Sequence, residues 1–299
     1  MINGKYLIQC LHSFIMAELM IEELRKTFGN YTRSLEILYL TNNIKKAVRL
    51  DANENELEKI RDFCSKEKLC LEISDFKVIK IKDEGKGNYS NIAKRASNEH
   101  IGDGLYHVYI SKDKTISKFL KLLENKNDDE AVGKILGYPK CCIDFFMKNR
   151  EKQQKLQNDY ILPALENSEG FEFPFYTNYA ARYFDVTLLS HFPHSFHCGE
   201  SIKIAKNNFE LIKKHSKELA DKFGDILKSA VLYTDNSGIF ILRDYKFEGS
   251  ALQFNEIKST INNELSNLLN KNKRMEIINK NMIKIDDKIV ENAGFMLFS

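Results

Sequence analysis

The sequence predicts an α+β fold of mixed helices and small sheets, on three observations. Amphipathic runs at helical spacing and short apolar runs of strand length follow one another without the regular strand–helix alternation of a doubly wound protein. Asp235-Asn236-Ser237-Gly238 separates two apolar runs as a hairpin turn would. All four prolines, and the densest grouping of Cys and His, fall between Leu136 and Ser201. An N-terminal α/β module over residues 1–127 and a Cys/His-bearing α+β region over residues 128–299 are expected. The polar run Asn125 to Glu130 is then either their boundary or a loop within one compact unit.

From Cys10 to Phe28, Leu11, Phe14, Ile15, Leu19 and Leu24 recur at helical spacing, and Gly29-Asn30 supplies the stop. Leu35 to Leu40 and Ala47 to Leu50 are apolar runs of strand length. Asn53 to Lys68 reads as a helix with Leu57, Ile60, Phe63 and Cys64 on one face, and Leu69 to Ile81 alternates as a strand. Asp83 to Asn88 is a polar loop. Its Gly85 and Gly87 lack the spacing of a phosphate-binding loop.

Leu105 to Ser111 reads as a strand and Ile116 to Leu123 as a helix. Ala131 to Leu136 leads into Gly137-Tyr138-Pro139-Lys140-Cys141-Cys142, where proline in the first turn opens a helix running to about Asn158. The aromatic stretch Phe171 to Phe184 is either a loop packed on the core or the wall of a pocket for an apolar or planar ligand. His191-Phe192-Pro193-His194-Ser195-Phe196-His197-Cys198 opens a second long helix, to about Phe223, with Ile202, Ala205, Phe209 and Ile212 on its buried face. Ala230 to Tyr233 and Ile239 to Leu242 form the hairpin, with Tyr245 to Phe254 as a third strand. Ile261 to Leu269 reads as a helix, and Met282 to Ile285 and Gly294 to Phe298 as terminal strands.

Composition narrows the classes. At 299 residues, 43% hydrophobic and 29% charged, the chain can bury a full core without staples. The net charge of +3 arises from Lys and Arg interleaved with Asp and Glu, not from a basic stripe, which argues against nucleic acid as principal partner. No stretch has the roughly 18 apolar residues of a membrane span, and Met1 to Tyr6 lack a secretory leader's features, so a cytoplasmic setting is expected. Six cysteines are too sparse for a disulfide framework; in a reducing compartment the question is which of them bind metal or react.

Counting back from Ile202, Ala205 and Phe209, the inward stripe passes through Ser201, Cys198 and His194. Cys141 and Cys142 lie about 100° apart on their helix, Cys142 sharing its side with Phe145 and Phe146. If the two helix starts meet, Cys141, Cys142, His194 and Cys198 make a soft ligand set for zinc or an iron–sulfur centre. The same residues also fit a metal-free thiol catalyst, with Cys141 as nucleophile and His197 or His194 as base. Or the cysteines are core residues while His191, His194 and His197 cap and pack. Glu200 and Asp144 are placed to accept or move protons, and solvated helix surface accounts for them equally well. Cys10 with His12, and Cys64 with Cys70, read as core.

Gly137 to Phe146, followed by His191 to Cys198, resembles the archaeal and bacterial proteins grouped as domain-of-unknown-function family 483. The likeness is firmest from Gly133 to Asn207 and looser around Val48-Arg49-Leu50-Asp51. The family's second motif, His-x-Pro-Cys-Ser-x-x-Cys, is met at His191, Pro193, Ser195 and Cys198, with His194 where a cysteine is expected. His in that place keeps a metal ligand and ends a disulfide role, so the resemblance implies metal over redox thiol chemistry and implies no particular activity.

The resulting expectation is a metal-dependent enzyme acting on a small molecule, apolar or aromatic if Phe171 to Phe184 wall its pocket, with metal on Cys141, Cys142, His194 and Cys198 and with Cys141, His197 and Glu200 in catalytic positions. A metal-free cysteine–histidine transferase or hydrolase, and a non-enzymatic binding or scaffold protein with a structural zinc, stand beside it.

Overall fold

The computed structural model describes residues 20–82, 84–86, 93–97, 104–155 and 158–299. The fold is mixed α+β. Its contacts divide the chain into two compact units, one of Met1–Ile79, Ala93–Ile143 and Asn207–Asp221, the other of Lys80–Ile92, Asp144–Lys206 and Lys222–Ser299.

The first unit holds a four-stranded sheet of order β1-β4-β2-β3, with β1 Ala47–Ala52, β2 Cys70–Lys80, β3 Ala93–Ser97 and β4 Leu105–Ser111. β4 pairs antiparallel with both β1 and β2. Helix α1 covers residues 20–28 and stops at Gly29, whose φ of +86° suits glycine; Cys10 and His12 lie outside the described residues.

The apolar run Leu35 to Leu40, expected as a strand, is instead the middle of helix α2, Tyr31–Thr41. Asn30 decides it. Its side chain accepts the Arg33 N–H at 2.9 Å and caps the helix. Every residue from Ser34 to Leu40 is buried, so the run carries no periodicity that separates helix from strand. Helix α3, Glu54–Lys66, begins on a reciprocal Asn53–Glu56 capping box. Helices α4, Lys114–Asn125, and α5, Asp129–Ile135, cover the sheet with a cluster of Ala47, Tyr109, Leu120, Leu123, Val132 and Leu136.

The second unit carries an eight-stranded sheet of order β11-β10-β9-β8-β7-β6-β12-β5. Its strands are β5 Glu172–Phe173, β6 Ala230–Thr234, β7 Ile239–Glu248, β8 Ala251–Ser259, β9 Arg274–Asn279, β10 Met282–Ile285, β11 Lys288–Glu291 and β12 Ala293–Phe298. The hairpin at residues 235–238 is present, with Ala230 opposite Leu242 and Tyr233 opposite Ile239. The expected third strand is split: Tyr245 ends in β7, the chain turns at Gly249 (φ +63°), and β8 follows. Strands β9 and β11 had no counterpart in the sequence reading. Their burial patterns are largely exposed, so they lack an apolar stripe.

Helix α6 spans Lys140–Lys155, α7 Ile161–Glu166, α8 Gly199–His215, α9 Lys217–Leu227 and α10 Glu264–Asn272. The single long helix expected up to Phe223 is therefore two, broken at buried Ser216, whose hydroxyl accepts the Leu219 N–H. The aromatic stretch 171–184 is β5 plus two 3-10 turns, Phe175–Thr177 and Tyr179–Phe184. Phe173, Phe175 and Tyr179 are buried, Phe173 against Phe196 and Phe298. Among the described residues, no helix is long and apolar enough to cross a membrane.

Candidate metal centre

Two N-terminal helix ends carry the cysteines. Helix α5 ends at Gly137, with φ +80°, and the Tyr138 N–H returns to the Gly133 carbonyl at 3.0 Å. Pro139 then opens α6, its carbonyl accepting from Cys142 and Ile143, both at 3.0 Å. Cys141 and Cys142 thus sit in the first turn, where the helix dipole favours thiolate. Cys142 is buried and Cys141 half-buried.

The second motif is not helical, contrary to the expectation that Pro193 opens a helix. Residues 191–198 form an irregular turn and α8 starts at Gly199. Neighbouring side chains hold its backbone. Asn167 Nδ2 donates to the His194 carbonyl at 2.9 Å, the Phe196 N–H donates to Ser168 Oγ at 2.9 Å, and Thr177 Oγ1 donates to the Phe196 carbonyl at 2.7 Å. With those groups satisfied from outside, the turn has no need of helical hydrogen bonds. Cys198 immediately precedes α8: its carbonyl accepts the Ile202 N–H at 2.9 Å and its Sγ accepts the Ser201 N–H at 3.5 Å. Ser201 is fully buried, and its hydroxyl shares a 2.9 Å hydrogen bond with Nε2 of buried His191.

The ligand atoms of Cys141, Cys142, His194 and Cys198 all lie within 4.8 Å of one another. The four expected metal ligands are brought together. This Cys/His group can bind a metal ion. The other two residues assigned catalytic roles from sequence stand outside it. His197 is exposed, with Nε2 3.3 Å from the Glu169 carbonyl and its ring edge-on to Phe173; Glu200 is exposed in the first turn of α8. Asp144 is exposed as well.

Residues 105–228 match the sequence model of a family described as "Protein of unknown function (DUF483)". The matched segment contains all four ligands and both motifs; Val48 to Asp51 lie outside it. No curated protein and no solved structure gives a significant match to the chain.

Two polar clusters escaped the sequence reading. In the first unit, Glu124 on α4 is almost fully buried and accepts a bifurcated hydrogen bond from Arg49 Nη1 at 2.8 and 3.1 Å, with Arg95 3.6 Å away. Burial alone would raise the Glu124 carboxyl, but Arg49, His107 and Arg95 together hold it below the ordinary carboxylate range. His107 lies with Nε2 3.3 Å from Asp51 and Nδ1 3.7 Å from Glu124. Burial first, and then the Arg49 charge, lower its imidazole to about 4. The signal was present in the period of two along β1, which places Arg49 and Asp51 on one face. In the second unit, buried Lys86, Asp159 and Tyr233 gather from three distant segments that no local pattern connects.

Proposed function

We propose that the protein is a zinc protein in which Cys141, Cys142, His194 and Cys198 hold one tetrahedral ion and fasten the start of α6 to the turn ahead of α8. The observation that carries this reading is the convergence of four ligand atoms within 4.8 Å. Two thiolates on one tetrahedral zinc stand about 3.8 Å apart, given Zn–S bonds of about 2.3 Å. Thiolates on different irons of a cluster stand further apart, so the spacing favours a single ion over an iron–sulfur cluster. Three thiolates and one imidazole are a common structural zinc set and a soft one. A catalytic zinc keeps an open position beside three protein ligands; four convergent side chains favour the closed kind, whose contribution is folding free energy. Three thiols outside any disulfide suit a reducing, cytoplasmic setting.

The test is metal content of protein purified under reducing conditions, compared with Cys198→Ala and with Cys64→Ala, a buried cysteine outside the group. About one zinc per chain, lost in Cys198→Ala and kept in Cys64→Ala, is expected. Iron with sulfide would overturn the choice of ion. Metal-free folded protein, with Cys141 alone modified by iodoacetamide, would overturn the site in favour of thiol catalysis.

A further inference from the structure

A cavity of about 270 Å³ opens within the second unit, walled by α6, α7, the end of β6 and the turns at Asn281 and Asn292. Its floor is polar and buried: Gln153, Asp159 and Tyr233 are 3%, 5% and 0% exposed. Asp159 is already satisfied. The Ile161 N–H donates to its Oδ1 at 2.8 Å, the Tyr183 hydroxyl donates to Oδ2, and Lys86 Nζ lies 3.9 Å from Oδ2. Lys86, itself 2% exposed, answers that charge, so the floor carries no net charge.

Gln153 is different. Its side-chain amide makes no hydrogen bond among the described residues, although it faces the cavity at 3% exposure. The amide opens on the cavity, where an occupant can complete its hydrogen bonds. The amide sets a donor and an acceptor side by side, which a pair of hydroxyl groups matches. At the rim Asn281 and Asn292 repeat the pattern, Glu166 and Asp235 add acceptors and Lys152 a donor, while Leu162, Pro163 and Ala293 offer apolar surface to a C–H face. The volume lies just under the roughly 300–1,000 Å³ of drug-sized sites, which suits a single ring.

We propose that this cavity binds a small, neutral, polyhydroxylated molecule about one sugar ring in size, anchored by a hydroxyl pair on the Gln153 amide. The site does not depend on the metal reading, since none of its residues belongs to the Cys/His group.

Saturation-transfer NMR on the full chain tests it, with D-ribose, D-glucose and myo-inositol as probes and putrescine and succinate as charged comparators. Transfer to at least one neutral probe is expected. In Gln153→Met its affinity should fall about tenfold, the worth of one hydrogen-bonding group, while thermal stability and metal content hold, because the amide has no partner within the described residues. Glu166→Ala, at the exposed rim, should weaken the same probe several-fold without touching the fold. No transfer from any neutral probe, preferential binding of putrescine or succinate, undiminished binding in Gln153→Met, or loss of folding in that variant would each overturn the proposal.

Discussion

His107 shows how one side chain ties the first unit to pH. In the unfolded chain its imidazole titrates near 6.5, and in the fold it is lowered to about 4, by burial above all and by the Arg49 charge. Between those values the unfolded chain binds a proton that the folded one refuses, so stability rises with pH across the window and is lost as pH falls from about 6.5 to 4. The loss is on the order of 3 kcal/mol. Urea titrations at pH 7, 5.5 and 4 should show the midpoint falling, and His107→Gln should flatten the dependence; an equal fall in the variant would remove His107 as its source. At this scale the sequence was informative where chemistry is local. Adjacent Cys141 and Cys142, and His194 four residues before Cys198, were visible as soft ligands. Arg49, His107 and Glu124 come from three separate elements, and only the packing of α4 on the sheet makes them neighbours.

Elements were legible where a signal is written into a few consecutive residues. The Asn53–Glu56 box, the Gly29 stop and the 235–238 hairpin all lie where propensity and turn chemistry put them. Apolar content alone misled, as at α2, whose core run is buried on every side. Among the turns, Gly238 carries the heaviest constraint: its φ is +103°, its carbonyl accepts from Thr234 N and Oγ1, and a methyl group there would run into Ile261 Cγ2. Gly238→Ala should cost about 1–3 kcal/mol, from strain in the backbone and overpacking together. Chemical denaturation checks it, and an unchanged midpoint would mean that the β6–β7 turn is freer than its hydrogen bonds imply.

For the whole molecule, a resident zinc would be part of the folding free energy. Free zinc at one hundred times its dissociation constant would add about 2.7 kcal/mol. A strong chelator should therefore lower the melting temperature of the wild-type protein and leave Cys198→Ala, already without metal, where it was. Restoring zinc should reverse the first effect; a melting temperature indifferent to the chelator would deny the ion any part in holding the fold. The mixed α+β class followed from irregular alternation of the elements, but the arrangement of eight strands in one sheet did not, because β6 neighbours β12 across some sixty residues of intervening chain.

Three of the four sheet margins share a feature. β5 has two residues, β11 has four with Lys288 and Glu291 at its ends, and β3 has five with Lys94 and Arg95 side by side. Margins so short and so charged give a second chain little to pair with. Growth into fibrils along these three margins is disfavoured, which leaves β1 as the sheet edge, among the described residues, where a second chain could add.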